Sequence, residues 1–108
     1  MIDVVIFKNS NSDYVGFKTR GHAEYDNPGS DIVCSAVSAI TITVLNSIEE
    51  LTCADFTLDC NRENGDIDFM LSTVDDTQAS TLMKAFVIGI TGIEQSYGDY
   101  ICLTFKEV

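Results

Sequence analysis

The stretch "DIVCSAVSAITITVLNSIEEL", residues 31–51, decides the fold, because it can be read in two ways. Its β-branched centre, "ITITV" at 40–44, is a poor helix former and would suit a buried strand. Yet Ile32, Val33, Ala36, Val37, Ala39, Ile40, Val44, Leu45 and Ile48 run on for far longer than a strand and cover more than one stripe of a helix. Length settles the choice. The spacing predicts one helix from Asp31 to about Leu51, buried on several sides. Ser30 or Asp31 would cap it, and Glu49 and Glu50 would close it despite the unfavourable end of the helix dipole.

Upstream, "IDVVIFK" and "DYVGFKTR" are runs rich in Val, Ile, Tyr and Phe, separated by the turn-forming "NSNSD". They predict a hairpin whose second strand ends at Gly21. The following "HAEYDNPGS" has neither helical nor alternating period and reads as a loop, with Pro28-Gly29 as a turn. Downstream, Phe56, Leu58 and Cys60 alternate with Asp55, Thr57 and Asp59, and Ile67, Phe69 and Leu71 alternate with Asp66, Asp68 and Met70. Joined by "NRENG", these two runs predict a second hairpin with one wet face. Asp75 with Gln78 resembles a capping box, after which Leu82, Met83, Phe86, Val87, Ile90 and Ile93 recur at helical spacing to about Tyr97. Last, "DYICLTFK" alternates again and predicts a closing strand. The order is ββαββαβ, an α+β fold of two layers with a mixed five-stranded sheet and two helices, in one domain over residues 1–108.

With 45% hydrophobic residues and a single proline, the composition is that of a folded chain. The net charge of −11 argues against direct nucleic-acid binding, which draws its affinity from Lys and Arg on phosphates, and favours a basic partner. Ser and Thr interrupt residues 32–48 and Asn46 lies among them, so no uninterrupted apolar run reaches the roughly eighteen residues of a membrane span, and a soluble protein is expected. The opening "MIDVVIFKNSNSD" lacks the basic start and long apolar run of a secretory signal, which points to a cytoplasmic chain with reduced thiols. Cysteines stand at 34, 53, 60 and 102, with no C-x-x-C pair and only one histidine, so no metal site is expected. Cys53, Cys60 and Cys102 read as small core hydrophobes.

Cys34 is different. A helix starting near Asp31 puts it in the first turn, where unpaired N–H groups favour a thiolate and could also hold an oxyanion. His22, on the loop twelve positions earlier, could take the thiol proton as general base. Ser38 lies one turn beyond Cys34 on the same face, and Asp31 could orient the imidazole. Residue types alone leave plainer readings open. A buried cysteine and a loop histidine explain the same letters, Asp31 can be a cap, and Ser38 can bond its own backbone.

The segment "GHAEYDNPGSDIVCSAVSAI", residues 21–40, is similar to the Gly-His-Ala … Gly-x-Asp-Ile-Val-Cys-Ala-Ala-Val-Ser-Ala-Leu signature of the Prp family, the ribosomal-processing cysteine proteases of bacteria. It departs from that signature at Ser35, where Ala is usual, and at Pro28, where relatives often carry a bulkier residue. The resemblance implies a cofactor-free cysteine endopeptidase. Its partner would be a ribosomal protein precursor, from which it removes a short N-terminal extension: the large-subunit protein numbered twenty-seven, cut in a Phe-rich stretch. It further implies Cys34 as nucleophile and His22 as base, with Gly21, Asp31 and Ser38 matching the family's other motif residues. Gly21 would give the loop room to order over the substrate. A homodimer packed through helices is also implied, which suits a first helix with more apolar surface than one sheet face can cover. Two other readings are a non-catalytic dimeric binding module for a ribosomal protein and a thiol redox switch. The switch would need a resolving cysteine near Cys34, and Cys53, the nearest in sequence, lies beyond the far end of the helix.

Overall fold

The computed structural model describes residues 1–21, 28–61, 63 and 65–108, and of residues 28–31 the backbone. The elements follow the expected order: β1 (Ile2–Lys8), β2 (Tyr14–Arg20), α1 (Pro28–Leu51), β3 (Phe56–Cys60), β4 (Ile67–Leu71), α2 (Thr77–Tyr97) and β5 (Ile101–Glu107). The strands form one sheet in the order β3-β4-β2-β1-β5. It is mixed, because β5 returns after α2 to lie parallel to β1, with Ile2 opposite Ile101, while the other neighbours are antiparallel.

The period-two pattern of the strands sorts their residues between the two faces. Ile2, Val4, Ile6, Phe17, Phe69, Leu71 and Ile101 point inward and are buried. Against them lie Val33, Val37, Val44, Leu45 and Ile48 of α1, and Ala79, Met83, Phe86, Val87 and Ile90 of α2. Phe17 stacks on Phe86 with ring centroids 4.2 Å apart and meets Phe69 at 5.2 Å, so one aromatic column joins α2 to the middle of the sheet. Gly16 on β2 must be glycine, since a Cβ there would collide with the Phe69 carbonyl oxygen and with Met70 on β4. In the first hairpin the Asn9 Oδ1 accepts from the Asn11 and Asp13 amides at 2.9 and 3.0 Å, the side-chain turn that "NSNSD" suggested.

Four local expectations are corrected. The first helix begins at Pro28, so Pro28 and Gly29 are its first residues rather than a turn, and neither Ser30 nor Asp31 is its cap. Proline fits there because its fixed φ suits a helix and its missing N–H would be unpaired in any case. The cap of α2 is Asp76, whose side chain accepts from the Ala79 amide at 2.9 Å, and not Asp75. Cys53, Cys60 and Cys102 are exposed instead of filling the core. Cys53 follows the end of α1; Cys60 ends the edge strand β3, where Leu58 is exposed too; and Cys102 alternates with inward Ile101 onto the opposite face of the sheet. Finally, Ile32–Leu51 is a helical stretch of mean hydropathy 1.6, long and apolar enough by length and composition to cross a membrane. The Ser and Thr residues along the run do not interrupt the helix. Here α1 packs against α2, and Val33 and Ile48 near its two ends are fully buried.

Candidate active site

Cys34 is half-buried at the rim of a small pocket where three strand ends meet the first half of α1. Gly21 closes β2 with φ +87°, a left-handed conformation that glycine adopts without strain. A Cβ on it would stand 2.6 Å from the Met1 carbonyl oxygen, so the chain passes tightly over the start of β1. Ile2 of β1, Thr19 of β2, Ile67 of β4 and Gly65 of the second hairpin complete the sheet side of the pocket. The helix side is Cys34, Val37, Ser38 and Thr41, and the cavity measures about 80 Å³.

Of the residues singled out in the sequence, the fold therefore brings Gly21, Cys34 and Ser38 to one place. His22 and the side chain of Asp31 lie outside the described residues. The helix geometry changes one part of the expected chemistry. Counted from Pro28, Cys34 is the seventh residue of α1, and only the first four amides of a helix lack a partner in the ladder. The field of the helix end also falls off within the first turn. The expectation that a single helix end supplies both the nucleophile and its oxyanion donors therefore does not hold.

Two features of the pocket went unnoticed in the sequence. The first is Thr41, 1% exposed, whose Oγ1 is buried with no hydrogen-bond partner among the described residues. Its signal was present, since Cys34, Ser38 and Thr41 fall at i, i+4 and i+7 on one helical face. The second is Arg20, which precedes Gly21. It donates to both Asp68 carboxylate oxygens at 2.7 and 2.8 Å and to the carbonyls of Thr19 and Ile67, bracing the ends of β2 and β4 beside the pocket. No local pattern could have shown that pair, because it joins residues from separate hairpins.

A roomier cleft of about 340 Å³ lies elsewhere, lined by Leu51, Thr77, Gln78, Thr81 and Leu82. It carries neither a thiol nor an ionisable side chain among these residues, so size does not mark the chemistry here. Among the described residues, no three His, Cys, Asp or Glu side chains stand together where they could hold a metal ion.

Comparison with known proteins points to one family. Residues 1–102 match the family model described as cysteine protease Prp. The chain is 29% identical to the ribosomal processing cysteine protease Prp of Staphylococcus aureus (strain Mu50 / ATCC 700699), covering 98% of this chain and 100% of that protein. It is 25% identical to the Bacillus subtilis (strain 168) protein of the same name, covering 96% of each. Among solved structures, that of an essential ribosomal processing protease Prp from S. aureus, in complex with a covalently linked product peptide, superposes with a TM-score of 0.91. Its sequence identity is 25%, and the match spans 98% of this chain and 100% of that one.

Proposed function

This chain belongs to the cysteine protease Prp family, and on that premise we propose that it is the endopeptidase that trims the N-terminal extension of the large-subunit ribosomal protein numbered twenty-seven, with Cys34 and His22 as its catalytic pair. The observation that carries the reading is the position of Cys34. It is the thiol that opens onto a pocket shared with Gly21, the chain neighbour of His22, whereas Cys53, Cys60 and Cys102 stand exposed elsewhere.

On this reading the Cys34 thiolate attacks the scissile carbonyl carbon. The C–N bond then breaks as His22 gives its proton to the leaving amine, and a thioester remains. Water adds to the thioester carbonyl, its proton passes to His22, and the C–S bond breaks to release the acid and restore the thiolate. No cofactor enters these steps. Ser38 supports the site from the same helical face, Asp31 orients the histidine, and Gly21, at φ +87°, directs the chain from β2 toward His22. The net charge of −11 draws in a basic ribosomal precursor.

The protein works in the cytoplasm, where ribosomes assemble, as one domain over residues 1–108 and as a homodimer. Dimerisation is supported by apolar residues that the packing of α1 against α2 leaves uncovered: Ile42 of α1 is 53% exposed and Ile88 of α2 is 74% exposed.

The test uses a peptide spanning the extension, with a Phe-Phe-Ala cleavage stretch. The unmodified chain should cut it, whereas Cys34→Ala and His22→Ala should bind without turnover and keep the fold. Unchanged cleavage by Cys34→Ala would sink the assignment, and tight binding by the unmodified chain without cleavage would replace it with a binding module.

A further inference from the structure

We propose that the pocket beneath Cys34 holds the water that hydrolyses the acyl-enzyme, with the Thr41 hydroxyl as its inner anchor. The inference rests on the protease reading above and concerns its second half, the release of the thioester.

Three observations meet in the pocket. Thr41 is 1% exposed, and its Oγ1 has no partner among the described residues, an arrangement folded chains avoid because burial strips the hydroxyl of water without replacing it. Thr41 lines the same cavity as Cys34 and Ser38. The size of that cavity decides what can enter. At about 80 Å³ it is well below the roughly 150 Å³ that takes up benzene, so it does not receive the aromatic side chains of a substrate. It does match two or three waters at about 30 Å³ each.

The spacing on α1 supports a chain of such waters. A rise of about 1.5 Å per residue puts Ser38 about 6 Å and Thr41 about 10 Å along the axis from Cys34. A water with two hydrogen bonds of about 2.8 Å bridges gaps of this size, so the hydroxyls form rungs from the buried floor to the sulfur. Thr19, 6% exposed, adds a second polar wall. Acylation needs no water. Hydrolysis needs one, and a water held in the pocket already stands near the sulfur when the leaving amine departs.

The test separates the two halves of turnover in Thr41→Val, which keeps the shape and loses the hydroxyl, and in Thr41→Ser, which keeps the hydroxyl. Quenched-flow with the precursor peptide should show an unchanged burst for Thr41→Val. Its steady-state rate should fall about tenfold, the loss expected from one missing hydrogen bond. Intact-mass analysis should find the peptide held as a thioester on Cys34, and hydroxylamine, attacking from outside, should restore turnover as the hydroxamate. Thr41→Ser should behave as the unmodified chain. Equal steady-state rates for Thr41→Val and the unmodified chain overturn the water site. So does a matched fall in burst and steady state with no thioester, which would mark a structural role. An unmodified chain that does not cleave the peptide overturns the protease reading, and the water site with it.

Discussion

Arg20 grips Asp68 through both carboxylate oxygens, at 2.7 and 2.8 Å, and so ties the last residue of β2 to β4 at the edge of the Cys34 pocket. The pair is solvated, with side chains 37% and 48% exposed. Its coupling in a double-mutant cycle of Arg20→Ala and Asp68→Asn should therefore be modest, about 0.5–1 kcal/mol by urea denaturation, and smaller in high salt. A coupling near zero would mean that the contact does not brace the pocket.

Gly21 turns the chain at φ +87° directly over Met1. Gly21→Ala should cost about 1–2 kcal/mol from the backbone conformation alone, and more from its approach to the Met1 carbonyl. Because Gly21 precedes His22, cleavage should fall further than stability does. A melting temperature and a cleavage rate that both match the unmodified chain would refute the tight passage.

Asp76 and Asp75 offer a direct contrast. Asp76→Ala removes the bond to the Ala79 amide and should destabilise α2 by about 1 kcal/mol. Asp75→Ala should stay within about 0.5 kcal/mol of the parent in thermal unfolding. The reverse ranking would restore the cap expected from sequence.

Phe86 carries the aromatic column between α2 and the sheet. Phe86→Ala should lose about 3–5 kcal/mol in chemical denaturation, since it removes a fully buried ring and leaves a cavity against Phe17. A loss under 1 kcal/mol would show that the column is loosely packed.

For the dimer, sedimentation should give twice the 11.8 kDa chain mass for the unmodified protein. Ile42→Asp with Ile88→Asp should give the monomer, because two carboxylates cannot be buried without partners. Neither change touches the core, so the circular dichroism should be preserved.

The residues of α1 show what could be read and what could not. Its existence followed from length against the β-branched "ITITV", and the shared face of Cys34 and Ser38 followed from the period of a helix. Its start did not. Pro28-Gly29 is a turn signal in most contexts, and only the helix continuing back past Asp31 shows otherwise. That three-residue difference moved Cys34 out of the first turn and removed the helix-end argument for its chemistry. The cysteines failed differently. Cys60 and Cys102 sit in alternating patterns that give a face but not whether anything covers it, and β3 at one edge and the outward face of β5 are left open.

By itself the sequence determined the seven elements and their order, the two hairpins, the faces of the strands and the family signature around Cys34, because each depends on residues close together along the chain. The tertiary structure alone decided the sheet order, the parallel pairing of β1 with β5, the ion pair of Arg20 with Asp68, and the pocket that gathers Gly21, Cys34, Ser38 and Thr41. Those relationships bring distant parts of the chain together. They are set by which apolar faces can be buried against each other, and no local period contains that information.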